Sequence, residues 1–494
     1  MAEQAQAAEQ AQATTTEEAD SLLENILKQT KYKSAEEKDR NSQYIGEVLK
    51  YAMQGAKVIS GDMERTIKAW QAEIDRKLSQ QLNEIMHNEK FQTLEGTWRG
   101  LKYLIDQSET GTALKVKVMN VGKKTLAKDL EKAAEFDQST LFKKVYEEEY
   151  GTLGGHPFGM MMGDYHFSSS PEDVEMLRKV SGVAAAAHAP FVAGTAPGMF
   201  GFDSFEELNK PRDLAKIFEG VDYVGWRSFR ESADSRYVAL TMPRVLARLP
   251  YGADTKPIEE FNFEESVDGT DHSKYLWMNA SWAYAARCTD AFAKDGWFMR
   301  TRGVEGGGKV EELPVHTFKI GGGKEMKCPT ETLIPDRREN ELSNLGFLPL
   351  LHCKNTDFAA FLGAQSCQKP QTYFDAAANA NAELSTKVNY LMCVSRFSHY
   401  LKVMARNKVG SIMEASDCEK WLNTWIKNYV VSNPENVGEK TKAEKPLRDA
   451  EIRVEANPAK PGWYKAVAYL RPHFQLEGLD ASMRLVAEIP PKKG

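Results

Sequence analysis

The sequence predicts a mixed fold: α/β in the middle of the chain, α+β toward the C-terminus, and a helical arm on the N-terminal side. Three observations predict it. The proline-free run Asp62–Leu94 carries apolar residues at Met63, Ile67, Trp70, Ile74, Leu78, Leu82 and Ile85. Steps of three and four make one stripe along one long helix. Residues 158–193 read strand, helix, strand, a βαβ unit whose strands run parallel. Beyond Asp336, long helical patterns give way to strand candidates near the end.

Taken in order, residues 2–19 are a polar Ala/Gln/Glu/Thr tract that cannot bury a core. Leu22, Leu23, Ile26 and Leu27 then make a short amphipathic face, with acids before it and lysines after, the order a helix dipole favours. A helix so short is marginal alone, so it docks on a partner or packs back onto its own domain. Tyr44–Met53 has helical spacing and leads into the long helix, whose stripe is buried either within the chain or against a partner. Leu114–Val118 alternates as a half-buried strand should. Phe158–Gly163 is an apolar run, Ser170-Pro171 suits a helix start, and a helix through Ala187 precedes the apolar strand Phe191–Ala193. Arg236–Met242 and Leu276–Lys294 supply a further strand and helix. Gly303–Gly323 reads as a hairpin or loop excursion around a strand at Val315–Ile320. The last assembly holds a helix Asp375–Asn407, another at Glu414–Tyr429 and a polar linker Asn433–Lys445. Strand candidates follow at Glu451–Glu455, Trp463–Leu470 and Met483–Ile489. The implied division is 1–43 (tail with the short helix), 44–110 (helical arm), 111–335 (middle domain) and 336–494 (inner domain).

A chain of 494 residues exceeds the size at which single cores stop growing, so two or three domains are expected. A net charge of −6 argues against non-specific nucleic-acid binding, which needs a basic face. The six cysteines form no C-x-x-C pair and read as reduced, mostly buried thiols. No signal peptide and no membrane span is visible, so a cytoplasmic protein without membrane insertion is expected.

The search for chemistry finds one decoy. Gly303-Val304-Glu305-Gly306-Gly307-Gly308-Lys309 fits G-x-x-x-x-G-K, but Val310 stands where a phosphate loop needs Ser or Thr. The loop runs on into two acids and Pro314 rather than a helix whose N-terminus holds phosphate. A nucleotide-binding enzyme using Lys309 is therefore the rival reading. No zinc spacing, H-E-x-x-H or G-x-S-x-G exists. His87 and His399 read as structural histidines, and Glu147-Glu148-Glu149 as a solvated face. The sequence points to no catalytic residue, cofactor or metal.

Three strings carry a resemblance. They are Phe91-Gln92-Thr93-Leu94-Glu95-Gly96-Thr97-Trp98-Arg99-Gly100-Leu101, then Arg300–Gly308 with Leu313-Pro314, then Ile334–Leu342 with Leu345-Gly346-Phe347. Far apart and in order, they resemble the large contractile-sheath subunit of bacterial type VI secretion systems, the TssC/VipB family, from about Ser21 to the end. The resemblance implies a contractile tail-sheath-like fold and a structural role. It implies a small sheath subunit (TssB/VipA-like) sharing a bundle with the stripe from Met63 to Ile85. It also implies neighbouring copies in a helical polymer around an Hcp tube, a baseplate, and a ClpV-type AAA+ unfoldase gripping the Leu22/Leu23/Ile26/Leu27 helix. The last strand, with Met483, Leu485, Val486 and Ile489, either finishes its own sheet or, as the resemblance implies, is donated to a neighbour. Lys402, Arg406 and Lys408 form either a tube contact or a plain solvated face. A sheath that polymerises alone, as in contractile phage tails, is the second rival.

Overall fold

A computed structural model describes residues 39–40, 42–44, 46, 63–320, 322–431, 433–459 and 462–475. Leu22, Leu23, Ile26 and Leu27, and the strand Met483–Ile489, lie outside the described residues. The chain divides into two units, residues 1–92 with 249–275, and residues 93–248 with 276–494.

The first unit is built on helix α1 (Met63–Met86). Its polar face makes hydrogen bonds within the unit. Asn83 holds the excursion 249–275 from both sides, donating to Glu264 O at 3.0 Å and accepting from Ser266 N at 2.9 Å. One turn on, His87 Nε2 lies 3.4 Å from the buried carboxylate of Glu265. Three turns back, Asp75 accepts from Asn262 at 3.2 Å. The expected single long helix is broken: α1 stops at Met86 and α2 (Glu89–Asp106) starts afresh. Asn88 causes the restart, because its Oδ1 accepts from Lys90 N at 3.1 Å as an N-cap does.

The second unit centres on a six-stranded sheet. Its strands are β1 (Met161–Phe167), β2 (Phe191–Thr195), β3 (Val238–Met242), β4 (Lys309–Val310), β7 (Leu348–His352) and β8 (Ala359–Phe361), in the order β1-β2-β3-β7-β8-β4. A separate hairpin, β5 (Thr317–Ile320) with β6 (Gly323–Met326), answers the expected glycine-flanked excursion. The first four strands of the sheet pair in parallel, and β7–β8 and β8–β4 are antiparallel. The βαβ unit forms as expected. Ser170 accepts from Asp173 N at 3.3 Å to start α4 (Pro171–Ala187), and Phe191 of β2 lies opposite Val238 of β3. Between α2 and β1 the chain winds α3 (Lys123–Lys132) and a π-helix, Lys143–Tyr150.

Alternation puts the two faces of the sheet into different cores. Phe191, Ala193, Val238 and Leu240 pack in one cluster with Leu177, Val180 and Ala184 of α4. Val192, Ala239, Leu348 and Leu350 pack in another with Ala283 and Ala286 of α5 (Ala280–Asp295). Both faces are thus covered, which suits β2 and β3, whose successive residues Phe191–Ala193 and Val238–Leu240 are apolar on both sides.

Two expectations about strands fail here. Leu114–Val118 forms no strand, and Val118 is exposed. Alternating sequence makes no strand without a ladder partner. Also, β7 and β8 lie beyond Asp336, so the middle sheet runs well past the boundary drawn there.

The C-terminal part builds a third core. Here α6 (Ala376–Ser385) and α7 (Val388–Lys408) replace the expected single helix. The break is tertiary: Ser366 N donates to Thr386 O at 2.9 Å, and Val388 N to Ala364 O at 2.7 Å. Those bonds take the backbone groups a continuous helix would use. Helix α8 (Ala415–Ile426) and the antiparallel pair β9 (Leu447–Ala456) and β10 (Tyr464–Pro472) complete it. Phe397 of α7 stacks on Trp297 with ring centres 4.3 Å apart, among Leu422, Ile426, Leu447 and Ile452.

Candidate assembly surfaces

The apolar stripe of α1 does not behave as a stripe buried within its own chain. Trp70 is buried at 7% exposure and Ile67 and Leu82 are half-buried, but Ile74, Leu78 and Ile85 are exposed, Leu78 to 44%. Of Met63 the structure describes only its place in the helix. Beside Trp70, the polar positions Asp75, Asn83 and His87 carry intramolecular contacts.

Helix α2 explains its signature string in the same terms. Gly96 and Gly100 are buried on one face. A Cβ on Gly96 would come within 2.9 Å of Trp277 O, and one on Gly100 would collide with the Trp282 ring. The glycines are spaced one turn apart, so the helix lies backbone-close on those residues. Beside them Glu95 accepts from Arg99 at 2.7 Å and from the buried Arg248 at 2.8 Å, and the two guanidiniums hold its carboxyl below the usual range against the opposing cost of burial. The remaining surface presents Leu94, Trp98 and Ile105 to solvent, Trp98 at 64% exposure. Sequence reading missed these three as contact candidates, although their spacing is helical.

The α7 basic group is partly engaged inside the chain. Lys402 Nζ sits 3.6 Å from the Tyr150 ring centre and donates to Tyr146 Oη at 3.2 Å. Both tyrosines belong to the π-helix. Arg406 donates to Gly151 O at 3.3 Å, while Lys408 is exposed with its Nζ 5.0 Å from the Trp421 ring centre. The three do not form one free basic face.

The β9–β10 pair has two unlike edges. Along β9, Asn423 of α8 accepts from Ile452 N at 3.0 Å and donates to Ile452 O at 2.6 Å, and Glu419 accepts from Val454 N at 2.8 Å. Helix side chains therefore occupy that edge. Ile452 faces Ala468 in the register, so Ala468 turns its own N–H and C=O away from β9, as do Ala466 and Leu470. Among the described residues, no backbone group bonds to that side.

The glycine loop folds onto itself. Gly308 N donates to Gly303 O at 2.8 Å, Gly303 N to Phe361 O at 2.7 Å, and Phe361 N to Gly308 O at 3.0 Å. Lys309 then enters β4, its Nζ 2.5 Å from Glu311 and 4.4 Å from the Phe358 ring centre. The N–H groups of Gly303 and Gly308, at the two ends of the loop, are used internally, and a strand rather than a helix follows. The histidines act structurally: His399 contacts Ala187 O at 2.9 Å, and burial pushes it down to about 4. Of the Glu147–Glu149 run, Glu147 and Glu148 are exposed, while Glu149 accepts from His156 N at 2.8 Å and pairs with Lys117. Among the described residues, no group of three or more His, Cys, Asp or Glu is placed to hold a metal, and no helix is long and apolar enough to cross a membrane.

Residues 68–368 match the model of the EvpB/VC_A0108 tail sheath N-terminal domain, and residues 377–489 that of the EvpB/VC_A0108 tail sheath gpW/gp25-like domain. The chain belongs to the VipB tail-sheath family. The two matches meet at the loop before α6, where the sheet ends and the third core begins. A VipB-family relative, the type VI secretion system sheath protein TssC1 of Pseudomonas aeruginosa PAO1, is 49% identical over 483 residues, 97% of each chain. This VipB-family chain is therefore a structural subunit of a type VI secretion contractile sheath. A chain in the cryo-EM structure of the anti-feeding prophage baseplate aligns over 78% of this one and 86% of its own length, at 12% identity and a TM-score of 0.36, too slight a likeness to bear on the fold.

Proposed function

We propose that the exposed apolar residues of α1 and α2 receive the small sheath subunit, and that the resulting heterodimers polymerise around the Hcp tube. The observation that carries this reading is the exposure of Ile74, Leu78 and Ile85 on a helix whose polar face already makes the internal contacts. Large apolar side chains left in water on one face mark an interaction site.

Strand donation links neighbours: the segment holding Met483, Leu485, Val486 and Ile489 adds to a sheet of the next copy. The edge of β10 at Ala466, Ala468 and Leu470 suits such an addition, while Asn423 and Glu419 occupy the other edge. Main-chain bonds then persist while other contacts slide. Contraction relaxes an extended packing to one that buries more surface and drives the tube forward, with no bond chemistry in this chain. The tube contact rests on Lys408 more than on Lys402 and Arg406, which this chain already engages. The Leu22/Leu23/Ile26/Leu27 helix is the handle of a ClpV-type unfoldase in the cytoplasm, and one end of the polymer meets the baseplate. Head-to-tail contacts that do not close generate such a filament.

Negative-stain electron microscopy of the chain with and without its small subunit tests the reading. Hollow tubes only in the co-expression are expected. Soluble particles in both samples, with the small subunit present, would overturn it.

A further inference from the structure

A cavity of about 880 Å³ opens in the second unit, lined by Arg212, Asp213, Lys216 and Arg337. Its floor is fixed. Arg338, buried beside Arg337 in the helix Asp336–Asn344, donates to Glu341 at 2.6 Å and to Pro211 O, and Glu341 also accepts from Leu214 N. Those bonds tie residues 211–214 to the helix and set the rim. Asp213 is turned to its own backbone, accepting from Ala215 N at 3.0 Å. Arg337 donates to Arg212 O at 3.2 Å and only skirts Glu341 at 3.6 Å. The side chains of Arg212 and Lys216 meet no carboxylate among the described residues. Three exposed cations and one acid thus line one recess, with Arg337 alone among the cations near a second carboxylate, that of Glu341, among the described residues.

The recess has room for on the order of thirty waters, and its lining is charged, not apolar. A small apolar ligand has nothing to grip there; a segment of chain bearing several carboxylates does. This chain carries one in its first unit. In the excursion 249–275, Asp254, Glu259 and Glu260 are exposed and have no partner among the described residues. Lys256, the cation between them in sequence, holds its Nζ 5.4 Å from the Tyr251 ring centre. The acids closer to α1, Glu264 and Glu265, are already engaged, Glu264 by Ala253 N at 3.1 Å and Glu265 by Tyr251 N at 2.8 Å.

We propose that the cavity at Arg212, Lys216 and Arg337 receives the acidic segment Asp254–Glu260 of a second copy of this chain. A patch and its complement on one chain are what an open, head-to-tail helix requires, since each copy gives one and takes the other. The inference rests on the polymer reading above. Such a contact is solvent-screened, so its grip falls as salt rises. Three exposed ion pairs together change assembly on the order of tenfold.

The test uses the full chain with its small subunit. Arg212→Glu/Lys216→Glu/Arg337→Glu should lower tube yield on the order of tenfold with an unchanged melting curve of the unassembled chain. Adding Asp254→Lys/Glu259→Lys/Glu260→Lys to that chain should restore the yield. In tubes made from mixed ¹⁴N and ¹⁵N wild-type copies, a carbodiimide should join Lys216 to Asp254, Glu259 or Glu260 across the isotopes. Wild-type yield from the cavity variant, no rescue by the acid-side changes, or Lys216 joined only within one isotope or to the small subunit overturns the inference. Absence of tubes from the wild type overturns the polymer reading itself; wild-type tubes with an indifferent cavity variant overturn this inference alone.

Discussion

Trp98→Ala separates assembly from folding. Trp98 is 64% exposed on α2, opposite in consequence to Trp70, which is 7% exposed on α1. A Trp side chain offers about 150–250 Å², so docking a partner over the open part of Trp98 removes roughly 100–160 Å² from water. At about 25 cal/mol per Å² that is about 3 kcal/mol, or roughly a hundredfold in affinity, before ordering costs. The folded chain alone loses little, within about 0.5 kcal/mol, because a surface substitution leaves no cavity. Trp70→Ala should do the reverse in the unassembled chain and cost about 3–5 kcal/mol of stability. The assay pairs urea unfolding of the chain alone with titration of the small subunit, read by sedimentation. Trp98→Ala with wild-type affinity would refute the docking argument. So would a loss of intrinsic stability as large as that of Trp70→Ala.

Gly100→Ala should destabilise the unassembled chain by about 1–3 kcal/mol, because the new methyl meets the Trp282 ring; an unchanged urea midpoint would count against the close approach of α2. Burial holds His166 and His399 down to about 4, below their ordinary 6.5, so each favours the fold fully above that ordinary value and loses its contribution as pH falls toward 4. Urea midpoints should therefore drop between pH 7 and pH 4.5, and His399→Gln should flatten that slope. Deleting Ser482–Gly494 should stop sheath elongation while leaving the chain folded, and normal tubes from it would refute strand donation. Deleting Met1–Thr30 should leave assembly intact but block disassembly; tubes that still dissolve with unfoldase and ATP would sink the handle assignment.

The local features were legible in sequence because their causes are local. Ser170-Pro171 starts a helix wherever it sits, and the start and end of α4 follow from it and from the apolar pattern. Asn88 was legible in principle, since Asn is a preferred N-cap, yet the stripe across it suggested a single helix. Other features have distant causes. The break at Thr386 exists because residues 364–366 take its backbone bonds, and nothing near Thr386 announces that. β7 joins the middle sheet through Thr241 opposite Leu348, a pairing across more than a hundred residues. The apolar pattern of α1 marked one face of the helix, but periodicity alone cannot say whether the same chain covers that face. The exposure of Ile74, Leu78 and Ile85, beside the polar contacts of Asn83 and His87, is what supports the proposal of a partner.

The interior bears on how such a sheath can change state. Burial pushes the thiols of Cys288, Cys367 and Cys393 up and the imidazoles of His166 and His399 down. Each shift disfavours the charged form, so these core groups stay neutral across the physiological range. A change of packing is then not driven by their titration. The cores are closed, packed on both faces of the sheet and around Phe397. What differs between two packings of the polymer must lie where the single chain leaves groups unspent: the apolar side chains of α1 and α2, the edge of β10, and the cations around Arg337. Apolar residues supply area without direction, the strand edge supplies direction through main-chain bonds, and exposed charge supplies contacts weak enough to release. Removing one class at a time should therefore alter different properties: affinity for Trp98, continuity of the polymer for the terminal strand, and salt dependence for Arg212, Lys216 and Arg337.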